Sequence, residues 1–211
     1  GIIAAKSFGI DRKCKLIVGK GLGDSGAGSD ATMSKAIRFC ADSGAKILNI
    51  SAGSSMRSAA ISGILRELHQ QGIIPVVAAG NDSAEVGFPA REDFCIAVTA
   101  LTRARIIADY SNRGEAVDVA APGSEIRSLG KGSTFVVMSG SSMACPWVAG
   151  IIAAYASFQL SIGKSFPSFD SILEWLGKTA IDLGKPGKDF QYGLGLPNAE
   201  KGFQDVQPPI V

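Results

Sequence analysis

Short apolar runs of strand length alternate with segments of helical periodicity through the first half of this chain, and that alternation constrains the fold more than any other feature. Cys14–Val18 (CKLIV), Lys46–Ser51 (KILNIS), Ile73–Ala79 (IIPVVAA) and Phe94–Ala100 (FCIAVTA) are largely continuous in apolar residues, as buried parallel strands are. Between them, Ser29–Ser43 places Met33, Ala36, Ile37 and Cys40 on one helical stripe, with Ser29 or Asp30 as its N-cap. Ser58–Gln71 repeats the pattern with Ile61, Ile64, Leu65 and Leu68, and Gly72 closes it as a C-cap. Strand–helix–strand order of this kind builds a parallel sheet with right-handed crossovers. At 211 residues the chain is expected to form one domain spanning 1–211. Sites in such sheets form beyond the carboxyl ends of the strands, here Gly19–Gly23, Ser51–Ser54 and Gly80–Asn81.

The second half reads less regularly. Asp109–Gly114 is a polar loop, Val117–Val119 a short strand, Ala121–Gly123 a turn and Phe135–Met138 an extended strand. A long apolar helix is expected from near Ser141 to about Phe158, with Pro146 near the end of its first turn, and an amphipathic helix over Ser168–Thr179. The Gly- and Pro-rich tail from Lys185 is expected to wrap the surface. The apolar run Val148–Tyr155 is too short for a membrane span, so none is expected.

Composition excludes several classes. With 46% hydrophobic and 19% charged residues, the chain buries a core and is not disordered. A net charge of +2 argues against an electrostatically driven nucleic-acid binder. Cys14, Cys40, Cys95 and Cys145 form no CxxC pair and read as buried free thiols. No signal peptide is visible, and the chain starts at Gly1 without Met, which reads as an incomplete or processed N-terminus.

Four segments carry candidate chemistry or binding. Gly21-Leu22-Gly23-Asp24-Ser25-Gly26 follows a predicted strand and fits the dinucleotide pattern GxGxxG. Its third glycine does not open a helix, however, and no acid ends the next strand to hold a ribose, so a Gly-rich surface loop is the favoured reading. Gly140-Ser141-Ser142-Met143-Ala144 opens the long helix. A serine there sits near unpaired N–H groups and the positive end of the helix dipole, which suits a nucleophile whose attack creates an oxyanion. The same serine is also an ordinary N-cap residue. Asn81, after Ala78-Ala79-Gly80 at the end of a central strand, can donate its amide N–H to such an oxyanion, or serve only as a turn residue. Ser51-Ala52-Gly53-Ser54 leaves backbone groups free to pair with an extended peptide.

Together these segments resemble the subtilisin-like serine peptidases, the subtilases. Gly140–Gly150 is similar to their nucleophile motif GTSMAxPHVAG, Val77–Asn81 to VAAGN and Asn49–Gly53 to NxSxG. Val18–Gly26 is similar to VKVLGDSG, which accounts for the GxGxxG match. Val117–Gly123 is similar to DVxAPG and Tyr192–Gly195 to YGxG. The resemblance implies a three-layer α/β/α fold with a mainly parallel central sheet that lacks its N-terminal part. It implies a serine endopeptidase with Ser142 as nucleophile, and with Asn81 and the Ser142 N–H as oxyanion donors. Ser51, Ala52 and Gly53 would pair with an extended peptide or protein substrate. Ala78, Ala79, Gly80 and Gly87 would line the pocket for the residue before the scissile bond. Ala52 stands where a larger Leu is usual, which widens the neighbouring substrate pockets.

The same resemblance makes Gly1–Ala5 the end of the motif HGTHVAGxxAA. The catalytic His and Asp would then lie upstream of Gly1, in an N-terminal segment that becomes the chain's first partner. His69, the one histidine, falls near the end of a crossover helix and cannot take that role. No cofactor is expected. The short Ala5–Cys14 segment lacks an Asn-rich insertion of the kind that holds calcium, so a structural calcium is not supported. Secretion is a lean from the family alone. Two other readings stand beside the peptidase: a peptide-binding pseudoprotease without catalysis, and a nucleotide-dependent oxidoreductase resting on the glycine motif.

Overall fold

The computed structural model describes residues 1–204. Four strands, β1 (Ile47–Ile50), β2 (Ile74–Ala78), β3 (Ile96–Leu101) and β4 (Val119–Pro122), form a wholly parallel sheet in the order β1-β2-β3-β4. Successive side chains point to opposite faces, which makes two apolar layers from one sheet. Val77, Ala79 and Ala97 pack under α1 (Asp30–Asp42) and α2 (Ala59–Gln70) with Ile37, Leu65 and Leu68. On the other face, Val76, Ala78, Val98, Ala100 and Val119 pack against Ala144, Val148, Ile151 and Ile152 of α3 (Ser141–Ser161) and Ile172 and Leu176 of α4 (Phe169–Thr179). The result is the expected three-layer α/β/α arrangement.

Local signals set the helix starts. Ser29 caps α1 in a reciprocal pair: its Oγ accepts the Thr32 N–H at 3.2 Å, and Thr32 Oγ1 accepts the Ser29 N–H at 3.0 Å. Ser58 caps α2 and Ser168 caps α4 in the simpler way. Gly72, just after α2, takes φ +79°, where a side chain is disfavoured.

Several expectations need correction. Cys14–Val18 is not a buried strand. It joins no ladder, with Leu16 56% and Val18 80% exposed. An apolar run becomes a buried strand only where a sheet edge takes its backbone groups, and residues 17–21 lie along α1 instead. There Cys40 Sγ reaches the Ile17 carbonyl, and Gly19 and Gly21 pack on Ala36 and Met33. Ala121 and Pro122 are not a turn but the end of β4, where Pro is tolerated because β4 is an edge. Ile126–Leu129, unassigned from sequence, forms β5 and pairs antiparallel with β6 (Phe135–Met138).

Helix α3 runs to Ser161. Its 21 residues, with an 18-residue window of mean hydropathy 1.4, meet the length and composition of a membrane span, although the run Val148–Tyr155 alone does not. In this fold the helix lies against the sheet, and its apolar character follows from that burial. The tail is not wholly superficial. Tyr192 and Leu196 are buried, the Leu194 N–H bonds the Asp118 carbonyl at 2.7 Å, and Ala199–Gln204 forms α5. The tail beyond residue 204 lies outside the described residues.

Candidate active site

Strands β1 and β2 end side by side, and the N-terminus of α3 stands over both ends. Ser142, second residue of α3, is half-buried. Its Oγ donates to the Ser51 carbonyl at 3.2 Å, while Ser51 Oγ donates to the Ser142 carbonyl at 3.1 Å. The second bond has a local cause. Pro146 is the sixth residue of α3, beyond the first turn, and has no N–H to offer the Ser142 carbonyl four residues back. Ser51 supplies the missing donor.

Asn81 follows β2. Its Oδ1 accepts the Ser141 N–H at 2.7 Å and the Ser141 Oγ–H at 3.0 Å, and Ser141 Oγ in turn accepts the Gly80 N–H at 3.1 Å. A backbone N–H can only donate, so the atom facing it is the amide oxygen. The Asn81 NH₂ is thereby turned away from Ser141 and is free among the described residues, as is the Ser142 N–H. A Cβ built on Gly140 would stand 3.4 Å from Asn81 Nδ2 and 3.6 Å from both Asn81 Oδ1 and Ser142 N. The two donors therefore border one small space, which Gly140 leaves open. Donors of this kind at a helix N-terminus stabilise an oxygen that gains negative charge.

The predicted pocket residues also come together. Gly87 N–H donates to the Ala79 carbonyl at 2.9 Å, and Ser54 and Phe88 exchange backbone hydrogen bonds at 2.9 and 2.8 Å. The backbone thus ties Gly87 to Ala79 and Ser54 to Phe88, while Ser51 touches Ser142. A Cβ at Gly87 would lie 3.1 Å from the Ser54 carbonyl oxygen, and one at Gly53 2.8 Å from the Phe88 carbonyl oxygen.

Other candidates fall away. Cys145, one turn below Ser142, is fully buried and its Sγ–H donates to the Val76 carbonyl at 3.2 Å. Burial pushes its thiol up to about 12, against weaker opposing hydrogen bonds from Ser51 and Ile50, so it carries no thiolate. His69 lies at the far end of α2, beside the start of β2 and a strand length from Ser142, with its ring edge-on to Phe169 at 4.7 Å. The glycine motif is a loop closed on itself: Gly23 N–H bonds Ala27 O at 2.8 Å and Gly26 N–H bonds Gly23 O at 3.0 Å. Among the described residues, no three His, Cys, Asp or Glu side chains are grouped to hold a metal ion. Sequence reading missed the part played by Ser141, which sits within the quoted motif and fixes the Asn81 amide.

Comparison with known proteins places the chain in a family. The model of the Subtilase family matches residues 1–195. M-protease of Shouchella clausii is 32% identical over 196 residues, covering 92% of this chain and 49% of that protein. Alkaline elastase YaB of Bacillus sp. (strain YaB) is 35% identical over 184 residues, with 86% and 46% covered. Subtilisin Savinase of Lederbergia lenta is 32% identical over 196 residues, with 92% and 69% covered. The chain spans about half the length of the first two relatives. The protease domain of PatA superposes with a TM-score of 0.87 over 96% of this chain and 76% of that one, and at 23% identity it shows the fold alone. By family match, sequence identity and fold, the chain belongs to the subtilase family.

Proposed function

We propose that this chain is the serine-bearing part of a serine endopeptidase catalytic domain. Ser142 Oγ attacks the scissile carbonyl carbon and forms an acyl-enzyme, while Asn81 Nδ2 and the Ser142 N–H hold the oxyanion. The observation that carries the reading is the open space at Gly140, bordered by both donors. Ser51, Ala52 and Gly53 pair with the backbone of an extended peptide or protein substrate. Ala78, Ala79, Gly80 and Gly87 receive the side chain before the cut. The reading needs neither cofactor nor metal.

The general base comes from outside residues 1–211. Among the described residues Ser142 Oγ donates only to a carbonyl, which cannot take its proton, so the hydroxyl is a weak nucleophile as it stands. A segment upstream of Gly1 supplies the His and the Asp that orients it. Two features support such a partner: the outer edge of β1 carries no strand among the described residues, and Leu16 and Val18 lie exposed. Action outside the cell fits the reading, since the relative Nep of Natrialba magadii, 34% identical over 188 residues, is described as an extracellular serine protease.

Labelling by a fluorophosphonate probe tests the proposal. The chain extended by its own upstream coding sequence is expected to label at Ser142, and Ser142→Ala to abolish the label. Residues 1–211 alone are expected to label at least about a thousandfold more slowly, a scale carried over from subtilisin rather than worked from this site. Fast labelling of residues 1–211 alone would mean that a base lies within them. No labelling of the extended form would replace the proposal with a peptide-binding pseudoprotease.

A further inference from the structure

Asn81 is held from two sides. Ser141 fixes its amide from the α3 side, and the loop between β3 and β4 braces its backbone from behind. Asn112 in that loop is 3% exposed, although nothing in its sequence context separates it from an ordinary polar loop residue. Its side-chain oxygen accepts two backbone N–H groups, from Asp82 at 2.8 Å and from Ala84 at 3.1 Å. Its own N–H donates to the Gly80 carbonyl at 3.0 Å. Its Nδ2 packs so closely on Gly80 that a Cβ there would stand 2.3 Å away, and Gly80 takes φ +111°. The neighbours of Asn112 extend the brace: the Ser83 N–H bonds the Tyr110 carbonyl at 3.0 Å, and Ser83 Oγ bonds the Asp109 carbonyl at 2.7 Å. Among the described residues, the hydrogen bonds of the Asn112 side chain fall on Asp82 and Ala84, just after Asn81, while its N–H and its Nδ2 meet Gly80, just before it.

We propose that Asn112 is a positioning residue for the reaction: it sets the height and direction of the Asn81 amide over Ser142 without touching substrate. The inference rests on the reading of Asn81 as an oxyanion donor. The chemistry selects this side chain. One neutral amide oxygen has two lone pairs and accepts both N–H groups at once. Its short stem keeps the turn close to β3, and it puts no charge near a developing oxyanion. A leucine of similar volume fills the space but leaves two N–H groups without a partner. The Asp82–Ala84 turn then swings toward water and carries Asn81 with it. A displacement of about 1 Å at a catalytic group costs up to about a hundredfold in rate.

The test uses the chain with its upstream sequence. Asn112→Leu is expected to lower kcat by about ten- to a hundredfold with KM changed by less than about threefold. Asn112→Ser, whose hydroxyl accepts one of the two N–H groups, is expected to fall between parent and Asn112→Leu. In an Asn81→Ala background, Asn112→Leu is expected to cost less than about twofold, because the group it positions is gone. An equal kcat loss in both backgrounds, or a loss confined to KM, would overturn the inference. Should the parent show no turnover, the functional reading fails and the positioning is read directly by side-chain ¹⁵N NMR of Asn81. Shifted or doubled Asn81 amide signals in Asn112→Leu and Asn112→Ser, with core methyls such as Ile152 unmoved, support it. Unchanged Asn81 signals refute it.

Discussion

The two ends of the Asn81 side chain do different work, and two substitutions separate them. Oδ1 accepts the N–H and the hydroxyl of Ser141, which is 0% exposed, so neither donor finds water when the acceptor is removed. Asn81→Ala loses both bonds. At about 1–3 kcal/mol for each buried donor left unsatisfied, the cost is about 2–6 kcal/mol, and in a domain of this size Tm falls by roughly 4–24 °C. Asn81→Asp keeps an acceptor for both donors, and its carboxylate makes stronger hydrogen bonds next to the N-terminus of α3. At neutral pH the Asp variant is expected to melt no lower than the parent. Nδ2 is lost in both variants, so kcat is expected to fall about 10²–10³-fold for Ala and at least as far for Asp, which puts like charge beside the oxyanion. That range is the one known for loss of the corresponding donor in subtilisin, and is carried over here. Thermal melts paired with kcat and KM on a peptide substrate, in the chain with its upstream segment, read both effects. The reasoning is refuted if Asp destabilises as much as Ala, or if either variant keeps kcat within tenfold and only weakens binding.

Gly87→Phe is expected to shift preference before the scissile bond from large apolar residues to small ones by one to two orders of magnitude, since each methylene counts for about 1–3 kcal/mol in such pockets. A Cβ there would stand 3.1 Å from the Ser54 carbonyl oxygen, and identical cleavage profiles on a peptide library would remove Gly87 from the proposed pocket. The tail carries a pH dependence through Asp189. Burial raises its pKa, but N–H donors from Tyr192, Gln191 and Lys185 outweigh that and hold it below the usual range. A carboxylate depressed in the folded state gives stability that is present above its unfolded pKa of about 3.9 and is lost as pH falls through the folded value. The Tm advantage of the parent over Asp189→Asn is therefore expected to shrink as pH drops below about 4, and parallel Tm curves would contradict it.

Much of this protein is legible in its sequence because the physics there is local. The caps Ser29, Ser58 and Ser168 satisfy N–H groups three residues on, and the apolar stripes of α1 and α2 follow from helical periodicity alone. Strands β1 to β3 announce themselves as continuous apolar runs because both faces of a parallel sheet are covered. Ser142, Asn81 and Ser51–Gly53 were legible as motif positions because each stands at a strand end or helix start whose backbone is set nearby, whereas Gly87, in the loop between β2 and β3, was named from the family resemblance alone. Tertiary structure decided what depends on a distant partner. Cys14–Val18 has the composition of a strand, yet an edge must be present to take its backbone groups. Residues 117–123 look like a strand followed by a turn, but pairing with β3 draws Ala121 and Pro122 into β4. The polar tail around Tyr192 is fixed by bonds to Val119 and its neighbours more than 70 residues away. The bonds of Asn112 to Asp82 and of Ser141 to Asn81 form only when the turn after β2 is folded against them across 30 and 60 residues of chain. A hydrogen bond between segments far apart in sequence leaves no periodicity and no spacing in either one, so only the folded chain reveals which polar residue is buried to hold another in place.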